Sequence, residues 1–225
     1  MLNKNLPISG IRAVAFDMDG LMFNSEDVYF ETGVRLMRKF GCEYTHELSS
    51  VLMGCTPQRS FETMIEWNGL SVTWQELQKE SNRIFLSIMP EWLKPMPGLF
   101  DLLDFLDENQ IPHAVCTSSC REIVEAMLPI HDLRRRFDFI ITSEDVTQGK
   151  PHPEIYLTAA RRFGVEPTAM MVLEDSHNGC RAGANAGAFV AAVPGEHSLH
   201  QDFSMASCRL STLDDPLIFE ILAKR

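Results

Sequence analysis

From Met96 onward the chain alternates short, continuous apolar runs with amphipathic helical segments, and this alternation restricts its fold more than any other feature. The helical segments are Leu99 to Asn109, Arg121 to Leu128, Glu154 to Phe163 and Gly179 to Ala186; the runs are His113–Cys116, Phe137–Ile141, Met170–Leu173 and Phe189–Val193. A strand buried on both faces reads as an unbroken apolar run, so the pattern predicts a parallel sheet covered by helices on both sides. Val14-Ala15-Phe16 supplies a further strand near the start. From Asp27 to about Lys94 the spacing is helical and shows no convincing strand. Val28, Phe30, Val34, Leu36, Met37 and Phe40 crowd one broad face, and Phe61, Met64, Ile65, then Leu77, Ile84, Phe85, Ile88, repeat the pattern. The expected architecture is therefore α/β, with an all-helical block inserted after the first strand: a core of 1–26 and 95–225, and an insertion of 27–94. The junctions near Asn24-Ser25-Glu26 and Lys94-Pro95-Met96-Pro97 are polar or Pro-rich and suit hinges. Cys208-Arg209-Leu210 reads as a final edge strand and Pro216 to Lys224 as a last helix.

With 225 residues, 45% of them hydrophobic, the chain can bury the core of one domain carrying an insertion. A formal charge of −11 and a pI near 5.1 argue against nucleic acid or an acidic membrane surface as partners. No apolar run approaches the ~18 residues of a membrane span, and Met1-Leu2-Asn3-Lys4-Asn5-Leu6-Pro7 has no apolar signal core, so a cytoplasmic protein is expected. Cys42, Cys55, Cys116, Cys120, Cys180 and Cys208 are scattered without a Cys-x-x-Cys pair, which suggests reduced, packed thiols. His197 and His200 have metal-like spacing but no nearby third ligand, and read as surface loop residues.

Polar chemistry collects at the ends of the apolar runs, the edge at which open α/β sheets bind ligands. After the first run come Asp17-Met18-Asp19-Gly20. Two aspartates one residue apart can hold a cation or attack an electrophile, though the tetrapeptide alone also reads as an Asp-rich turn. An EF-hand loop is excluded, because its fifth and sixth positions would be Leu21 and Met22. After the second run, Thr117, Ser118 and Ser119 precede a helix start, where free amides favour an anion and where simple N-capping accounts for one hydroxyl. After the third, Gly149-Lys150-Pro151-His152-Pro153 presents one cation suited to a phosphate and a neighbouring carboxylate. After the fourth, Glu174 and Asp175 form a second acidic pair; Asp175, Ser176 and His177 are adjacent and cannot line up as a hydrolase triad. Gly179, Gly183 and Gly187 suggest a helix seated closely on the sheet.

Four such signals in this order, Asp-Met-Asp-Gly, Thr117, Gly-Lys-Pro and Glu-Asp, resemble the haloacid dehalogenase-like superfamily of hydrolases over nearly the whole chain. In detail the chain is similar to the branch with a helical cap inserted after the first motif, which includes β-phosphoglucomutase, pseudouridine-5′-phosphatase and sugar-phosphate phosphatases. The resemblance implies a Rossmann-like core and a phosphatase acting on a small phosphorylated metabolite. It also implies Asp17 as the nucleophile that becomes an aspartyl-phosphate and Asp19 as general acid and base. Thr117, Ser118 and Lys150 would grip the phosphoryl group, and Mg2+ would be held by Asp17, Glu174, Asp175 and the backbone carbonyl of Asp19. A phosphate monoester is dianionic, so an attacking carboxylate needs a hard cation and a lysine to approach it, in agreement with these roles. The four loops are therefore expected to converge on one pocket.

In the mutase members of that branch, a His in the first cap helix and an Arg after the cap's Gly act on the sugar phosphate. The matching places hold Tyr29 and Pro57, with Arg59 two residues further on. A phosphatase is thus expected over a phosphosugar mutase, and a phosphate-binding protein without chemistry is a third reading. Gly54 and Thr56, between two cap helices, together with Arg59, Met22 and Asn24, are expected to face the substrate. Oligomeric state is not legible in the sequence.

Overall fold

The structure, a computed structural model, describes residues 10–52 and 55–224. The chain forms two compact units, one built from the chain up to Asn24 and from Lys94 onward, the other from Ser25–Leu93.

The first unit is a six-stranded, wholly parallel sheet of β1 (Ala13–Phe16), β2 (His113–Cys116), β3 (Phe139–Ile141), β4 (Met170–Glu174), β5 (Phe189–Ala192) and β6 (Cys208–Arg209), in the order β3-β2-β1-β4-β5-β6. Strands β2 and β3 are added on one side of β1 and β4 to β6 on the other, so the order reverses between β1 and β4. Such a reversal opens a crevice at the strands' carboxyl ends. Phe16 aligns with Val115 on one side and with Leu173 on the other, which brings the residues that follow β1, β2 and β4 out side by side.

The pleat of the strands explains the uninterrupted apolar runs. Ala13, Ala15, Ala114, Cys116, Ile141, Val172 and Val190 share one buried cluster with Ile155, Tyr156 and Ala159 of α7 (Glu154–Phe163) and with Cys180 and Ala182 of α8 (His177–Asn185). The alternate residues Val14, Phe16, Val115, Met171 and Leu173 point the other way and are equally buried. Three further helices, α5 (Leu99–Glu108), α6 (Arg121–Met127) and α9 (Pro216–Leu222), complete the unit. Gly183 seats α8 on the sheet, since a Cβ there would lie 2.8 Å from a Val190 methyl. Gly187 does not share that role: it has φ of +80° with nothing within 4 Å, and turns the chain after α8.

Most element ends fall within one or two residues of the sequence pattern, and two of the differing starts have a clear physical reason. β3 begins at Phe139 rather than Phe137, because Phe137 meets Phe16 and His113 edge-on at 5.8 and 5.4 Å, and the Asp138 carboxylate accepts the His113 amide. α8 begins at His177 rather than Gly179, because Ser176 caps it by accepting the Gly179 amide.

The second unit contains α1 (Ser25–Lys39), α2 (His46–Leu52), α3 (Pro57–Asn68) and α4 (Trp74–Trp92). Leu36, Met37, Leu48, Leu52, Met64, Leu77 and Ile84 form its core. Gly33 lets the Tyr44 ring lie against α1, where a Cβ would come within 2.6 Å of the ring. Among the described residues, no helix is long and apolar enough to cross a membrane. All six cysteines are free, with Cys116 and Cys180 buried and Cys55 exposed. His197 and His200 lie exposed in the loop after β5.

Candidate active site

The loops that follow β1, β2, β3 and β4 meet at the sheet's carboxyl edge. β1 ends at Phe16, so Asp17 and Asp19 both lie beyond the strand, in a turn closed by the Gly20 amide on the Phe23 carbonyl and the Met22 amide on the Met18 carbonyl. Their separation by one residue is thus a property of this turn and not of strand alternation. Gly20 is required twice over: its φ is +76°, and a Cβ would come within 2.4 Å of an Asp175 carboxylate oxygen.

Lys150 is the centre of the site. Its ammonium donates to Asp17 Oδ1 at 2.5 Å, to Glu174 Oε1 at 2.6 Å and to the Cys116 carbonyl at 2.9 Å, which uses all three of its protons. The side chain is 5% exposed, Asp17's 10% and Glu174's 0%. The lysine is delivered by a loop that Glu154 closes, its carboxylate accepting the Thr147 and Gln148 amides at 2.8 and 2.9 Å.

Burial pushes the Asp17 carboxyl well above its ordinary range; Lys150 pulls it down, while the Glu174 and Asp19 charges add to the rise. For Lys150, burial opposes the charge, yet the Asp17 and Glu174 carboxylates outweigh it and hold the ammonium protonated beyond its ordinary value. Carboxylates here outnumber ammonium groups, and the surplus negative charge is concentrated at one point. Asp17, Glu174 and Asp175, all buried, offer carboxylate oxygens within 4.8 Å of one another. An oxygen-only donor set of this kind fits a hard divalent cation such as Mg2+.

Asp19 is held separately. Its Oδ2 accepts from Thr117 Oγ1 at 3.0 Å and from Ser119 Oγ at 2.7 Å, and the Ser119 amide donates back to Thr117 Oγ1. Thr117 is fully buried; Ser118 is exposed, and Ser119 rather than Ser118 is the hydroxyl beside Asp19. The Ser119 loop is braced from β3's side, where its carbonyl accepts the Ser143 amide and Arg121 pairs with Asp145 at 2.7 Å.

Glu174 is enclosed on every side. Besides Lys150 it accepts from the Tyr156 hydroxyl at 2.6 Å, and its Oε2 accepts from Ser176 Oγ at 3.0 Å and the Ser176 amide at 3.4 Å. Ser176 and His177 face different partners, the His177 Nδ1 meeting the Asp202 carbonyl, so no triad forms. A Cβ on Gly179 would lie 1.8 Å from Glu174 Oε1. Gly179→Ala is therefore expected to displace Glu174 from Lys150. The variant should lose about 1–3 kcal/mol of stability, read as a lower thermal midpoint, and most of its activity.

Other residues expected to face the substrate have local partners. Met22 is fully buried and its carbonyl accepts the Met96 amide, so it is a packing residue of the connector. Asn24 Oδ1 accepts the Lys94 amide at 2.7 Å. In the helical unit, Thr56 caps α3 by accepting the Arg59 amide, and Arg59 is paired with Glu66 at 3.3 Å and Glu62 at 3.8 Å on its own helix. Gly54 lies outside the described residues. Sequence reasoning passed over Tyr156, whose place on α7 fits a core periodicity, and counted Ser119 only as one hydroxyl of three. The one signal for Tyr156 was a hydroxyl on an otherwise apolar helix face.

Comparison with known proteins agrees with this geometry. The chain is 33% identical to a phosphorylated carbohydrates phosphatase of Thermotoga maritima over 79% of this chain and 82% of that one. It is 30% identical to the fructose-1-phosphate phosphatase YqaB of Escherichia coli over 76% and 90%. The crystal structure of CbbY from Rhodobacter sphaeroides in complex with phosphate superposes with a TM-score of 0.80 at 26% identity, covering 90% of this chain and 95% of that one. The profile of haloacid dehalogenase-like hydrolases matches residues 14–193, well over half of the sequence. The chain belongs to the haloacid dehalogenase-like hydrolase family.

Proposed function

We propose that this protein is a phosphoric monoester hydrolase that removes the phosphoryl group from a small phosphorylated metabolite, of the sugar or nucleoside phosphate type, through an aspartyl-phosphate on Asp17. The observation that carries this reading is the buried Lys150 ammonium joined to both Asp17 and Glu174 at the β1/β4 reversal. Phosphatase relatives at 30% identity or more support the reaction class.

In this mechanism Lys150 offsets negative charge as the Asp17 carboxylate meets the dianionic ester. A carboxylate oxygen of Asp17 forms a bond to phosphorus as the bond from phosphorus to the leaving oxygen breaks. Asp19 donates its proton to that oxygen, and the alcohol departs. Asp19 then takes a proton from water, the water oxygen bonds to phosphorus, and the acyl phosphate bond breaks to give inorganic phosphate and free Asp17. Dividing one displacement into two gives each step a poised partner. Thr117 and Ser119 orient Asp19 for both proton transfers. Mg2+, which the family generally uses, would be held by Asp17 and Asp175 with the Asp19 backbone carbonyl, and would supply Lewis-acid neutralisation of the phosphoryl oxygens; Glu174, whose oxygens are taken by Lys150, Tyr156 and Ser176, would add its charge from behind them.

A panel of sugar and nucleoside phosphates, assayed for phosphate release with Mg2+ and again with EDTA, tests the reading. Release that requires Mg2+ is expected; no release from any member would overturn it. A second reading, a phosphosugar mutase, draws on a Thermotoga maritima structure described as a β-phosphoglucomutase, 29% identical with a TM-score of 0.78 and covering 95% of this chain and 97% of that one. Against it, Tyr29 stacks on Phe85 at 4.6 Å and Arg59 is engaged by Glu66 and Glu62. Incubation with β-glucose-1-phosphate and the 1,6-bisphosphate decides between them: glucose-6-phosphate without free phosphate would establish the mutase.

A further inference from the structure

Tyr156 is fully buried on α7, and its single hydroxyl donates to Glu174 Oε1, the oxygen that also accepts Lys150 Nζ. The same side chain touches the lysine a second way, since the ammonium lies 5.2 Å from the centre of the Tyr156 ring. One tyrosine therefore supports both the charge of Lys150 and its counter-ion. A buried tyrosine hydroxyl usually finds some partner, and a backbone carbonyl would have sufficed for packing. Here the partner is a fully buried carboxylate two bonds of interaction away from Asp17.

The arrangement determines where the lysine sits. A carboxylate has about four lone-pair positions, and those of Glu174 face Lys150, Tyr156, the Ser176 hydroxyl and the Ser176 amide. Glu174 consequently has one orientation. With Tyr156 sharing Oε1, the lysine is not drawn wholly to Glu174 and keeps its proton on Asp17 Oδ1. Phenylalanine at 156 would fill the same volume and lack only the shared proton. Glu174 would then compete harder for the ammonium, at the expense of Asp17 and of the phosphoryl group crossing to it.

We propose that Tyr156 is a positioning residue for phosphoryl transfer, acting through Glu174 to keep the Lys150 ammonium on Asp17. This rests on Asp17 and Lys150 being the reacting pair proposed above. Misplacement of a charged group by a fraction of an ångström to 1 Å lowers rates by about 10- to 100-fold. Tyr156→Phe is expected to lose about that much in kcat on p-nitrophenyl phosphate with Mg2+, with KM changed by less than about twofold, the signature of an interaction made in the transition state. A double-mutant cycle with Glu174→Gln, read under single turnover with excess enzyme, separates positioning from packing. If the hydroxyl acts through Glu174, its removal should change the rate by less than about twofold in the Gln background.

Additive losses in the cycle, a kcat within twofold of wild type, or a rise in KM that accounts for the whole effect would each overturn the proposal. Should Tyr156→Phe fail to fold, Ser176→Ala, which releases the other oxygen of Glu174, carries the same test: a fall in kcat at constant KM supports the clamp, and an unchanged kcat overturns it. A wild-type protein without phosphatase activity would instead overturn the function. A wild type active on p-nitrophenyl phosphate beside an inactive Asp17→Asn, with Tyr156→Phe unaffected, would remove only the role of Tyr156.

Discussion

Asp17→Asn is expected to lower turnover of p-nitrophenyl phosphate by at least about 10^4-fold, the scale of losing a nucleophile whose partners remain in place. The side chain keeps its shape, and the amide oxygen can still accept from Lys150 at the Asp17 Oδ1 position. What is lost is the attacking electron pair, because an amide oxygen does not form a stable bond to phosphorus. The fold should persist, since Asp17 carries a charge that burial disfavours and asparagine removes it. Circular dichroism and thermal melting should therefore match wild type. No hydroxylamine-labile phosphoprotein should accumulate when the variant is acid-quenched during turnover. A variant that still hydrolyses the ester at more than a few per cent of the wild-type rate would exclude residue 17 as nucleophile.

Lys150→Met is expected to have the largest combined effect, abolishing activity and reducing stability by about 3–5 kcal/mol, as when one partner of a buried ion pair is removed. Methionine roughly matches the lysine stem in volume, so the loss reports charge rather than a cavity. Asp17 and Glu174 would be left buried without their ammonium. The Asp17 carboxyl, already raised by burial with the lysine in place, would rise further once the pull of Lys150 is gone. A carboxyl with a raised folded-state pKa favours folding below its unfolded value near 4, and that contribution disappears as pH climbs through the folded value. The deficit against wild type should accordingly be smaller at about pH 5 than at about pH 8. In the wild-type protein the lysine itself has a raised value, so its contribution is complete below about 10.4 and fades only above it. Equal deficits at both pH values would show that Asp17 does not depend on Lys150 for its charge state.

The two predictions together separate chemistry from construction. Asp17→Asn removes the reacting group and should leave stability intact. Lys150→Met removes the group that lets two carboxylates share a dry interior. Gly179→Ala approaches the same network from behind, since its Cβ meets Glu174 rather than Asp17 or Lys150.

In the helical unit, two residues expected to face the substrate have local structural partners. Thr56 and Arg59 have the right chemistry for a phosphorylated ligand, yet local structure engages both. Thr56 caps α3, and Arg59 has Glu62 and Glu66 one and two turns along the same helix face. A polar residue in a loop between helices serves the helix end first, because unsatisfied amides there lie within reach of any nearby oxygen. Pairing at helical spacing likewise requires no tertiary partner.

The sequence by itself determined the elements and four of the corners of the site. Buried parallel strands must be apolar on both faces, so β1, β2, β4 and β5 stand out as runs; Glu174 closes β4, and Asp17, Thr117, Lys150 and Asp175 mark the loops beyond the strand ends. Local patterning carries that information because burial and turn chemistry act over a few residues. Only the tertiary structure decided that β1 lies beside β4, that Ser119 rather than Ser118 meets Asp19, and that Tyr156 and Gly179 enclose Glu174. Those facts depend on the direction a side chain takes when distant segments pack together. A buried carboxylate selects its partners from whatever that packing brings within about 3 Å.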